Sequence, residues 1–119
     1  MKNVIIISGN PILPIIENAK EFDHGSVGHV TDERWTVEID AGYVYFDIAD
    51  DIAEDYGNEV ERLGGRTHFA SLIYHNPAEL RIALSPFKCE DVLIDDDMGS
   101  ILPIKEFLNN IDVWLADSR

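Results

Sequence analysis

The stretch Arg34–Asp50 reads "RWTVEIDAGYVYFDIAD", and the pattern of its two halves decides the fold class. Trp35, Val37 and Ile39 fall on one face of an extended chain and Thr36, Glu38 and Asp40 on the other, the two-residue period of a half-buried strand. Ala41-Gly42 is a turn signal. Tyr43 to Ile48 then resumes with aromatic and β-branched residues, so the stretch predicts a β-hairpin.

Downstream of the hairpin, "DDIAEDYGNEVERLGG" (Asp50–Gly65) predicts a helix with Ile52, Tyr56, Val60 and Leu63 on one stripe. Asp50 or Asp51 can cap its start, and Gly64-Gly65 supply the left-handed termination. Gly57 within it costs about 1 kcal/mol relative to alanine. "RTHFASLIYH" (Arg66–His75) reads as a strand. In "NPAELRIALSPF" (Asn76–Phe87), Asn76-Pro77 with Glu79 three residues after the cap signals a helix start, whereas Leu80, Ile82 and Leu84 alternate like a strand. The helix propensity of Ala78, Leu80, Ala83 and Leu84 favours the helix. "DVLID" (Asp91–Asp95) predicts a short strand. "PIKEFLNNIDVWL" (Pro103–Leu115) predicts a helix with Ile104, Phe107, Leu108, Ile111 and Leu115 on one face.

Upstream, "NVIIISG" (Asn3–Gly9) is a continuous apolar run that reads as a buried strand, and "ILPIIENAKEF" (Ile12–Phe22) has helical spacing with Pro14 tolerated only in the first turn. "DHGSVGHVTDE" (Asp23–Glu33) has no periodicity and predicts a loop. The tetrapeptide "ILPI" occurs twice, at Ile12–Ile15 and Ile101–Ile104, each time after an apolar strand and a polar turn. Two short copies read as a recurrent strand-to-helix connection rather than a repeat architecture.

Alternation of strand and helix from Tyr43 to Asp95 implies right-handed crossovers and a partly parallel sheet. The expected fold is a single α/β or α+β domain over residues 1–119, with a mixed β-sheet of about five strands and helices packed on at least one face.

The chain of 119 residues carries 23 acidic against 9 basic residues, a formal net charge of -14. That field repels nucleic acid and anionic membrane surfaces and accelerates encounter with a basic protein. Cys89 is the sole cysteine, which excludes an internal disulfide and a cysteine-rich zinc site. Between Lys88 and the acids Glu90 and Asp91, it reads as a buried small residue rather than a catalytic thiolate. The apolar run Val4–Ile7 is too short for a signal-peptide core or membrane span, so the expected location is cytoplasmic.

The run Asp95-Asp96-Asp97 raises the question of a metal. Asp95, Asp97 and Glu106 have the spacing of calcium-loop ligands one, three and twelve, but Gly99 and Ser100 stand where a ligand and the turn glycine belong, and Pro103 lies within the loop. No metal and no cofactor is therefore expected there; the carboxylates read as a strand end placed just before a helix N-terminus. If the strands were parallel, Asp47, Asp50, His75, Asp95 and Asp97 would share one sheet edge and could bind a metal or transfer protons. His24 and His29 in "HGSVGH" match no zinc spacing and read as surface-loop residues. No nucleophile elbow, phosphate-binding glycine loop or HExxH motif is present, so no catalytic residue is assigned.

The C-terminal half, "VERLGGRTHFASLIYHNPAEL" leading to "EDVLIDDDMGSILPIKEFL", resembles small acidic bacterial proteins in which a strand ends in aspartates, a glycine follows and an apolar helix starts. Several of that kind are immunity proteins of polymorphic or contact-dependent toxin systems. The resemblance implies a non-enzymatic module that neutralises a basic toxin through an acidic surface. The expected partner-binding residues are Glu54, Asp55, Glu59 and Glu61 on the Asp50–Gly65 helix and Asp95, Asp96 and Asp97, with Tyr43 or Trp114 as aromatic anchors. The rival readings are a small metal- or ligand-binding enzyme using the strand-end acids and His75, and a homodimer formed through an open sheet edge.

Overall fold

The N-terminal run Val4–Ile7 is apolar at every position because its strand, β1 (Lys2–Ser8), lies inside a sheet covered on both of its faces there. Val4 and Ile6 enter the larger core on one side, while Ile5 and Ile7 enter a smaller cluster on the other. The computed structural model describes residues 2–20, 22, 27–31, 33–39, 42–49, 51, 52, 54, 56, 63–96 and 100–117, with side chains of the last helix described to Ile111. After β1 come α1 (Ile12–Glu17), β2 (Val27–His29), β3 (Arg34–Ile39), β4 (Gly42–Ile48), β5 (His68–Tyr74), α2 (Pro77–Leu84), β6 (Val92–Asp95), β7 (Ile101–Pro103) and α3 (Ile104–Asp117).

The seven strands form one sheet in the order β2-β3-β4-β5-β1-β6-β7, and every described ladder is antiparallel. The α+β architecture with helices on the sheet holds, with seven strands among the described residues rather than about five. The expected parallel component does not. Strands β5 and β6 do run in the same direction and are joined by α2, but β1 inserts between them and pairs antiparallel with both. The alternation rule reads neighbours in sequence, whereas this sheet takes its central strand from the far N-terminus.

Helices α1, α2 and α3 share one face of the sheet. There Ile12, Ile16, Leu80, Ala83, Leu84, Ile104, Phe107 and Ile111 close over Val37, Val44, Phe46, Leu72 and Ile94. The start of α2 follows the capping signal in the sequence. Asn76 is extended, its Oδ1 accepts from the Glu79 N–H at 3.0 Å, and Pro77 opens the helix.

Helix α1 ends at Glu17, well before the expected Phe22, because the Asn18 side chain donates to the Pro14 carbonyl at 2.8 Å and closes the last turn. Phe22 is nonetheless buried in the same core. Val27–His29, expected in a loop, forms the edge strand β2, which the stacking of His29 on Trp35 (centroids 4.4 Å apart) secures. The strand β7 was likewise not expected; it pairs with β6 and ends at Pro103, leaving α3 to start at Ile104. Cys89 is exposed in a turn rather than buried. No helix among the described residues is long and apolar enough to cross a membrane.

The helix expected over Asp50–Gly65 is described only in part. Asp51, Ile52, Glu54, Tyr56 and Leu63 take tight 3-10 geometry rather than α, and the Ile52 N–H donates to the Ala49 carbonyl. Residues 50, 53, 55 and 57–62 lie outside the described residues. The terminator is as expected, with Gly64 and Gly65 at φ 62° and 79°. Leu63 is fully buried against Ile7 and Phe69, with Ile52 and Tyr56 packed beside them, so this segment covers part of the sheet face opposite the three helices.

Candidate functional site

That second face is divided. Its β1, β5 and β6 portion lies beneath Leu63, Ile52 and Tyr56, whose ring stacks on Phe69 at 5.8 Å. Its β3 and β4 portion is half-open. Because side chains alternate along a strand, the residues facing outward there are Arg34, Thr36 and Glu38 on β3 and Tyr43, Tyr45 and Asp47 on β4, the even-numbered set of one strand paired with the odd-numbered set of the other. Ser71 and Ile73 of β5 continue the same face, and Asn3 of β1 donates its amide to Ser71 at 3.2 Å.

Across this open portion runs a continuous chain of contacts. Arg34 holds Asp47 through two parallel hydrogen bonds, Nε to Oδ1 at 2.7 Å and Nη2 to Oδ2 at 2.8 Å. The hydrogen bond and the charge of Asp47 both raise the guanidinium above its ordinary value. The same guanidinium lies 4.9 Å from the centre of the Tyr45 ring. Tyr45 meets Tyr43 edge-to-face at 5.2 Å, and its hydrogen bond with Tyr43, then burial, push its hydroxyl above 10 while Arg34 opposes the rise. Tyr43 in turn meets the His75 ring edge-to-face at 5.5 Å. Glu79 closes the chain: its Oε1 accepts from the His75 backbone N–H at 2.8 Å and lies 2.9 Å from His75 Nδ1.

Glu79 is a buried carboxylate, its side chain 4% exposed, while that of His75 is 40% exposed. The first turn of α2 positions it, since Asn76 pins the Glu79 backbone and the side chain reaches back over the sheet end. Gly42 completes the fit. It sits at φ 140°, which side-chain-bearing residues avoid, and a Cβ there would stand 3.0 Å from Glu79 Oε2. Tyr43, next in line, is 42% exposed, unusual for a large aromatic at the centre of a contact network.

The residues expected at one strand-end edge are separated. Asp47 stands level with Ser71, four residues along β5 from His75 and three strands across the sheet from Asp95, and it is taken by Arg34. His75 follows β5 and Asp95 ends β6, but β1 lies between the two strands and Asp95 stands level with Ser71. They are therefore roughly 13 Å apart along the strands and about 10 Å across them, too far to share an ion or a proton. Asp50 and Asp97 lie outside the described residues. Among those described, no group of three or more His, Cys, Asp or Glu is placed to hold a metal ion.

Of the acidic partner-binding residues expected from sequence, Glu54 is exposed, and Asp55, Glu59, Glu61 and Asp97 lie outside the described residues. Asp95 and Asp96 are half-buried and engaged within the chain. The Tyr56 hydroxyl donates to Asp95 Oδ2 at 2.7 Å, and Asp96 closes the β6–β7 hairpin, its Oδ1 accepting from the Ser100 N–H and its N–H donating to the Ser100 carbonyl, each at 3.1 Å. The aspartates thus precede a strand and not a helix N-terminus, which corrects the dipole argument. Asp96 also raises the Tyr74 hydroxyl, after the larger effect of burial.

Tyr43 is exposed as an anchor would be, and the Trp114 side chain lies outside the described residues. Sequence reasoning missed Tyr45 and Glu79 as neighbours of Tyr43 and His75, and Arg34 as the partner of Tyr45. The alternation of Arg34, Thr36, Glu38 and of Tyr43, Tyr45, Asp47 carried that signal, since an outward face that is aromatic and paired in charge is not an ordinary solvated face.

Among the described residues, a cleft of about 380 Å³ lies beside Pro14, Asn18 and Pro86, and another of about 250 Å³ between Arg66, Cys89 and Lys105. Neither is lined by Asp47, His75 or Asp95. No protein-family model, no curated protein and no solved structure matches the chain.

Proposed function

We propose that this chain is a non-enzymatic protein-binding module, an immunity-type protein that neutralises a basic bacterial toxin domain. The observation that carries the reading is the half-open β3–β4 face, where the exposed Tyr43 meets Tyr45 and His75 edge-to-face in a chain of net charge -14. Tyrosine and arginine supply contact area at small conformational cost and are enriched at binding hot spots. A rigid, pre-ordered aromatic row loses little entropy on association. The acidic field steers a basic protein toward the surface and sets its salt dependence.

The binding surface in this reading shifts from the aspartate loop to the open face, with exposed Glu54 contributing to the surrounding field. The test is affinity capture from the native host's lysate at low and high salt, with wild type and a folded Tyr43→Ala variant side by side. The expected result is one basic protein retained by wild type, released by salt and depleted with the variant. Retention of no basic protein at low salt contradicts the proposal; equal retention by the variant removes Tyr43 from the binding surface.

A further inference from the structure

The open face ends at a corner whose parts have one chemistry in common. Two rings form its walls, Tyr43 and His75, at an interplanar angle of 83° and with centroids 5.5 Å apart. Glu38 stands directly across from Tyr43 in the β3–β4 ladder and is exposed. Behind the imidazole lies the buried Glu79 carboxylate, bonded to His75 at both its backbone N–H and Nδ1. Holding Nδ1 in this way turns Nε2 and one ring face away from Glu79. An exposed aromatic ring with an exposed carboxylate across from it makes a receptor for a cation.

The neighbouring position shows that this face accepts such a group. Arg34 places its guanidinium over the Tyr45 ring at 4.9 Å while Asp47 neutralises it. Tyr43 and Glu38 repeat the pairing of ring and carboxylate one step along the same two strands, without a cation of their own among the described contacts. We infer that the Tyr43–His75 corner takes an arginine or lysine side chain of the basic partner, the ring of Tyr43 and the exposed carboxylate of Glu38 replacing that side chain's water. The inference rests on the proposed function and names the group on the partner that this surface recognises.

The probe is N-acetyl-arginine amide, titrated into the full chain at constant ionic strength and compared with the neutral isostere N-acetyl-citrulline amide, with the ring resonances of Tyr43 and His75 read by NMR. A saturable shift with the arginine compound alone supports the corner. Tyr43→Phe, which keeps the ring, leaves the affinity within about twofold, whereas Tyr43→Ala weakens it about threefold or more, as exposed cation–ring contacts do. Glu38→Gln, a surface change that does not endanger folding, weakens it also. Equal shifts from the two compounds, no saturation, or indifference to Tyr43→Ala overturns the inference.

Its failure is separable from that of the function. A chain that binds the arginine compound at the corner but captures no basic protein keeps the corner and loses the immunity reading. A chain that captures a basic protein with undiminished strength as Tyr43→Ala loses the corner as the partner's anchor.

Discussion

The two portions of the sheet's second face are built from similar residue types and end differently. Under the β4–β5 connection, Ile7, Leu63 and Phe69 are sealed and Tyr56 lies between Phe69 and Asp95, so an aromatic residue and a carboxylate are used to close a core. On β3 and β4, Tyr43, Tyr45, Arg34 and Asp47 make an equally continuous set of contacts and remain half in water. The difference lies in what covers them. On the proposed function, the contact network alone does not mark a binding face; the network combined with exposure does, because order is established there without the burial that normally accompanies it.

The comparison breaks first at the sealed portion. Phe69→Ala or Leu63→Ala removes a fully buried side chain, and stability falls by about 2–5 kcal/mol in denaturant melts. Gly42→Ala, at the base of the open portion, forces an unfavourable φ and crowds Glu79, costing about 1–3 kcal/mol. A melt of Gly42→Ala equal to wild type would show that Glu79 is not held as described. Tyr43→Ala, by contrast, shifts stability by within about 1 kcal/mol, as substitutions at exposed positions do, while capture of the basic partner is lost. A Tyr43→Ala chain that melts like Phe69→Ala would place Tyr43 with the core residues.

The smallest effect separates two tyrosines by cause. Tyr45 is raised chiefly by its hydrogen bond with Tyr43 and Tyr74 chiefly by burial beneath the helices, so Tyr43→Phe returns Tyr45 toward 10 and leaves Tyr74 where it is. Ultraviolet titration of the tyrosinates reads both. For Tyr74 the folded value lies above the unfolded value of 10, so its contribution to stability is complete below pH 10 and is lost as the pH rises through the folded value. Alkaline melts therefore lose stability above pH 10, and Tyr74→Phe reduces the slope.

Local pattern made the hairpin, the strands β1, β5 and β6, the Asn76 cap and the glycine terminator legible, because each depends on residues a few positions apart. The two "ILPI" copies show the limit. Ile12–Ile15 is the start of α1, whereas Ile101–Pro103 is the strand β7 with α3 beginning at Ile104. Proline is compatible with a first helical turn and with an edge strand alike, and the free edge of β6 decides the second case. The antiparallel sheet was illegible for the same reason, since the placement of β1 between β5 and β6 is a pairing over the length of the chain. Of the site, Tyr43 and His75 drew attention singly; their contact, and the buried Glu79 behind it, required the register of β4 against β5 and the return of α2 to the sheet end.

The central claim is that partner recognition belongs to the open portion of this face. Amide hydrogen exchange on the full chain, free and bound to the basic protein captured at low salt, tests it most directly. The account predicts added protection at Glu38, Tyr43, Tyr45 and His75, with the helical face and the Asp95–Asp96 hairpin unchanged. Protection confined to the helices or to Glu54, Asp95 and Asp96, with β3 and β4 exchanging as in the free chain, would contradict it.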